Sequence, residues 1–92
     1  MRIQCFTNLD LFNESWPEEL PIMPVIGQQI ESKTHHGDFH LSLEIVNIVW
    51  KYNEYNDEYY PRIELHDHFK RSIRKFYEWY APLVDKRVSY FM

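Results

Sequence analysis

Residues 39–50, FHLSLEIVNIVW, alternate apolar and polar side chains with one slip of phase, and that slip decides the fold. Phe39, Leu41, Leu43 and Ile45 hold one phase, and Val46, Ile48 and Trp50 hold the other. Successive side chains of a strand point to opposite faces, so period-two alternation lays one face on a core. A one-residue slip is the mark of a β-bulge, which adds a residue to one strand, bends it and sharpens its twist. A long strand bent in its middle belongs to a curled sheet or a small barrel. Trp50 shares a face with Val46 and Ile48, and is therefore predicted to lie buried against Ile63, Leu65 and a helix stripe.

The flanking segments supply partners. Residues 59–66 place Ile63 and Leu65 between Arg62 and Glu64, which predicts an antiparallel neighbour for the long strand. Residues 28–32, with Ile30 inward, and 1–7 read as further strands, and 88–92 as a short final one. Pro21 and Pro24 exclude a helix interior around Ile22. Gly27 marks a turn, and KTHHGD (33–38) and the stretch 53–58 read as polar loops. Residues 11–20 have no sustained period and read as an irregular segment anchored by Leu11, Phe12 and Trp16.

One helix is predicted. Phe69, Ile73, Phe76 and Tyr80 recur at helical spacing with Tyr77 beside them, opposite Lys70, Arg71, Arg74, Lys75 and Glu78. Asp67 is the expected N-cap and Pro82 the expected stop. The fold class is therefore α+β: one domain over 1–92, with a small curved antiparallel sheet of about five strands and one C-terminal amphipathic helix.

The stretch LPIMPVIGQQI (20–30), the strand Val46–Trp50 and PRIEL (61–65) together resemble small uncharacterised SH3-like β-barrel proteins of phages and bacterial mobile elements. The resemblance spans about half the chain. It implies a partly open SH3-like barrel and an accessory protein that occupies or inhibits a host factor. Its motifs are structural, so it assigns no site residue and no ligand.

Composition narrows the function classes. Of the 92 residues, 45% are hydrophobic and 17% aromatic, enough for a core without disulfides or a metal. Seven Tyr, six Phe and three Trp exceed what that core needs. Aromatics with a polar edge are enriched at interfaces. A net charge of −4 argues against a nucleic-acid binder. The lone Cys5 excludes a disulfide framework, and no stretch has the length of a membrane span, so a soluble cytoplasmic protein is expected.

Four constellations could carry chemistry. The histidines 35, 36, 40, 66 and 68 lack metal-ligand spacing, and read as polar loop residues with no cofactor expected. His66, Asp67 and His68 offer acid–base groups and Cys5 a thiol, but Asp67 reads better as a cap and Cys5 as a small strand hydrophobe. No nucleophile or phosphate-loop motif is present, so no enzyme is expected.

The basic face of residues 67–81 carries four positive and two negative charges in a chain of net −4. His68, Arg71, Arg74 and Lys75 could hold a nucleotide or another anion, with Trp50 or Tyr77 stacking on a base; a solvated helix face is the plain alternative. Finally, WKYNEYNDEYY (50–60) interleaves tyrosines with acids. Tyr52, Tyr55, Asp57, Glu58 and Tyr59 are the candidate partner-binding residues, and another protein is the expected partner. The competing reading is a tyrosine-rich strand end packed on the sheet. Self-association through an open edge at 1–7 or 88–92 is a further expectation.

Overall fold

A computed structural model describes residues 1–9, 13–36 and 39–88. Its elements are β1 (Gln4–Phe6), β2 (Gln29–His36), β3 (Phe39–Asn53), β4 (Glu58–His66) and α1 (Ile73–Val88). They form a curled four-stranded sheet in the order β1-β4-β3-β2, with the helix following it. The fold is α+β, as the patterning predicts. The sheet is mixed rather than antiparallel, because β1 lies parallel to β4 with Cys5 beside Ile63.

The bulge lies where the phase slips. On β3, Ile45 pairs with Leu65 and Asn47 with Glu64, which leaves Val46 as the extra residue. A second irregularity interrupts β2 between Glu31 and His35. The core side chains Leu41, Leu43, Ile45, Ile63 and Leu65 share the concave face, and Phe76, Tyr80 and Val84 of α1 complete the cluster.

Residues 13–20 form no regular element, yet they tie the two open edges of the curl together. Ser15 C=O accepts the Lys33 N–H at 2.6 Å beside β2, while Glu18 C=O accepts the Ile3 N–H at 2.9 Å beside β1. Tyr80 Oη donates to the Glu14 carboxylate, which ties this segment to the helix as well. Backbone groups that would otherwise be stranded at the sheet edges are thereby paired.

The helix departs from its expected limits. It starts after Ser72, whose Oγ accepts the Lys75 N–H at 3.3 Å as an N-cap. Asp67 instead ends β4 and opens a turn in which its C=O accepts the Lys70 N–H at 2.8 Å. Phe69 and Ile73 are thus left out of the buried stripe, which runs through Phe76, Tyr80, Ala81 and Val84. Pro82 does not stop the helix but lies within it. Burial of Ala81 and Val84 on either side of Pro82 offsets the backbone bond it cannot make. Val88 belongs to the helix rather than to a final strand, and 89–92 lie outside the described residues.

Candidate functional site

β3 and β4 continue together well past the other two strands. The β2 ladder ends where Gln29 meets Glu44, and β1 begins its pairing with β4 at Arg62, so Trp50–Pro61 projects as a two-stranded arm. Ile48, Trp50 and Tyr52 pair with Ile63, Pro61 and Tyr59, and these six side chains continue the concave face outward from the core. Along that line burial gives way to exposure. Ile63 and Pro61 are buried and Ile48 is half-buried. Trp50 and Tyr52 are each 52% exposed, Tyr59 66% and Tyr55 93%.

Trp50 is therefore not in the core. The slip of phase places it on the concave side, as expected, but the helix packs near Phe39, at the other end of β3, and does not reach the arm. Alternation reports a face, not how far a cover extends along it.

The tip of the arm is held by its own polar side chains. Asn53 Oδ1 accepts the Tyr55 N–H at 3.0 Å, and Tyr52 Oη donates to Asp57 Oδ1 at 2.8 Å. Asp57 adopts φ of 52°, a left-handed conformation that Asp tolerates better than most residues. The Tyr52 and Tyr59 rings lie 5.3 Å apart and tilted. Donation to Asp57 raises the Tyr52 phenol above its ordinary pKa, so it remains a neutral donor. Tyr52, Tyr55, Asp57, Glu58 and Tyr59 are thus brought together.

A groove of about 1130 Å³ runs along this face. Trp50, Tyr52 and Tyr59 line it together with Met1, Cys5 and Trp16. Glu18, Glu54 and Glu58 add acidic groups, against Arg2 as a base. Trp16 Nε1 is buried without a hydrogen-bond partner among the described residues. The N-terminal residues and Trp16 were not legible as lining, since only the closure by residues 13–20 brings them to the arm.

The basic residues around the helix start stand beside carboxylates. Arg71 donates from Nε to Asp67 Oδ2 at 2.7 Å and from Nη2 to Oδ1 at 3.0 Å, and its guanidinium lies 4.2 Å above the Trp79 ring. Burial works to raise the Asp67 carboxyl pKa, but the Arg71 side-chain and backbone bonds outweigh it and hold the group below its ordinary value. His68 Nδ1 lies 3.3 Å and Lys70 Nζ 3.7 Å from the Glu44 carboxylate, and Arg74 Nε lies 3.3 Å from that of Glu78. Lys75 gives its backbone N–H to Ser72.

The histidines do not converge. The rings of His35 on β2 and His40 on β3 lie 5.3 Å apart and tilted, and His40 Nδ1 lies 3.1 Å from Ser32 C=O. His66 Nδ1 is 3.4 Å from Asp67 C=O, and the His36 side chain lies outside the described residues. Among the described residues no three His, Cys, Asp or Glu side chains are placed to hold a metal ion. The Cys5 thiol donates to Pro17 C=O, and burial pushes its pKa up to about 11. A thiol so protonated at neutral pH is a poor nucleophile. Among the described residues no helix is long and apolar enough to cross a membrane.

Comparison with known proteins returns no matching family model, no matching curated protein and no matching solved structure.

Proposed function

We propose that this chain is a non-enzymatic protein-binding module that docks through the concave face of the β3–β4 arm. The observation that carries this reading is the exposure of Trp50, Tyr52, Tyr55 and Tyr59 on a hairpin whose tip is fixed by its own hydrogen bonds. Pre-ordered aromatics bury large areas at little entropic cost, which makes them effective binding anchors. The groove is long and open, a shape suited to a segment of another protein. Glu18, Glu54 and Glu58 along it favour a basic partner surface.

In the finer reading the curled sheet is a partly open SH3-like barrel, with residues 13–20 across its mouth. The resemblance to phage and mobile-element proteins then suggests a cytoplasmic accessory protein that occupies a host factor without a cofactor. Capture from host lysate by the immobilised chain, with mass spectrometry, tests the reading. One protein should be retained at fixed stoichiometry by the parent chain and lost with a folded Tyr55→Ala variant. Equal retention by the variant would remove the arm from the reading.

The alternative is a nucleotide or anion binder centred on His68, Arg71, Arg74 and Lys75. It draws less support, because Asp67, Glu44 and Glu78 already stand against three of those four side chains. A thermal-shift panel of nucleotides separates the two, since a hundredfold excess over Kd stabilises a fold by about 2.7 kcal/mol.

A further inference from the structure

We propose that two copies of this chain pair edge to edge through β3, from Asn47 to Asn53, in a two-fold antiparallel ladder. The pairing uses the backbone edge of the arm rather than its concave face, so it stands independently of the docking reading.

The orientation of the edge follows from the bonds around the bulge. Ile45 turns both backbone groups away from β4: its N–H reaches Gln28 C=O at 2.8 Å, and its C=O accepts the Gly27 N–H at 2.9 Å. Beyond the extra residue Val46, the same outward orientation recurs at Ile48, Trp50 and Tyr52. Two features agree with this. The Ile48 N–H is met by the neighbouring Asn47 Oδ1 at 3.0 Å rather than by β4. Pro61, opposite Trp50, has no N–H to give. Among the described residues, no strand lies alongside Asn47–Asn53 on this side, because β2 pairs no further than Glu44.

The two free edges of the arm differ. On β4, Glu58–Pro61 runs beyond β1, and Pro61 blunts it by presenting no donor. On β3, the stretch Asn47–Asn53 holds no proline and a single charge, Lys51. An open edge of this kind is a template for another strand.

A second copy fits because the edge is self-complementary. When Trp50 faces its own equivalent, Ile48 meets Tyr52, Val49 meets Lys51 and Asn47 meets Asn53, so outward groups face outward groups and no like charges oppose. A shift of register toward the bulge collides with the Gly27 and Gln28 bonds at Ile45. In the favoured register the tip 54–57 of one copy abuts the turn Val25–Gln28 of the other. Val25 and Ile26 are exposed there, as is Ile22 nearby, and Tyr55 at the tip is the most exposed large side chain on the arm. The two-fold thus covers two apolar surfaces with each other, at both ends of the ladder.

Light scattering across a dilution series gives the mass, and two substitutions isolate the edge. Trp50→Ala removes the ring and keeps the outward N–H, whereas Trp50→Pro also removes that N–H, the donor of both central bonds of the two-fold. The parent chain should show twice the chain mass when concentrated, and Trp50→Pro should dissociate at least tenfold more readily than Trp50→Ala. A monomer at every concentration, including one that pairs only with a strand from another protein, overturns the proposal. So does a Trp50→Pro dimer as tight as that of Trp50→Ala. Should Trp50→Pro fail to fold, amide exchange of the parent chain decides. Trp50 and Tyr52 should be protected when concentrated and exposed on dilution, while Val49 and Lys51 stay protected throughout. Exchange of Trp50 and Tyr52 that ignores concentration overturns the pairing.

Discussion

The same two strands lead different lives along their length. From Phe39 to Ile45, β3 is flanked by β2, and Phe39 packs against Trp79 and Tyr80 of α1. The inward residues Leu41, Leu43 and Ile45 lie in the core cluster, almost wholly removed from water. From Val46 onward the alternation continues, but the cover does not, and Trp50 and Tyr52 face solvent. Identical local patterning therefore builds the core in one half and an exposed aromatic face in the other. What separates the halves is the reach of the helix and of the flanking strands, both set by tertiary packing.

The largest effects belong to the covered half. Phe76 is fully buried, with ring contacts to Trp79 at 5.7 Å and Tyr80 at 5.4 Å. Phe76→Ala should cost about 3–5 kcal/mol in denaturant unfolding, a large share of a typical domain's stability. A loss under about 1 kcal/mol would show that the helix does not cap the core, and the division into core and arm would collapse.

Between the extremes lies the Asp67–Arg71 pair at the join of β4 and α1. Its folded-state carboxyl pKa is lowered, so the unfolded chain binds more protons than the native one as pH falls through the carboxylate range. The contribution is present above the ordinary value of 3.8 and is lost as pH drops through the lower folded-state pKa. Asp67→Asn should cost about 1–3 kcal/mol at neutral pH, since one partner of a largely buried charged bond is removed. The variant should also lose that part of the acid dependence. Parallel pH profiles for parent and variant would place the stabilisation elsewhere.

How much of this was legible follows the same division. The bulge was readable at Ile45–Val46, because period-two patterning records which face a residue takes. The partnership of β3 with β4 was readable from Ile63 and Leu65. The parallel course of β1 was not, since three residues carry no sign of strand direction. Asp67 misled because it is a good cap by type, yet the turn at 67–70 delays the helix to Ser72. Pro82 misled because local propensity was outweighed by burial of Ala81 and Val84. At the candidate site the tyrosines and acids of the tip are visible as composition. Trp16 anchors its segment against the core, as the sequence predicts, but its place beside the groove is not legible. Trp50 reads as a core residue and is half exposed, because how far a cover reaches is a property of packing between distant segments.

The most direct test is the unfolding free energy of Trp50→Ala, measured against the parent chain with α1 intact by circular dichroism. An exposed arm residue should cost less than about 1 kcal/mol, leaving the fold and its denaturant slope unchanged. A loss of about 3–5 kcal/mol, the range of a core aromatic, would place Trp50 inside the core and leave no free aromatic face on the arm.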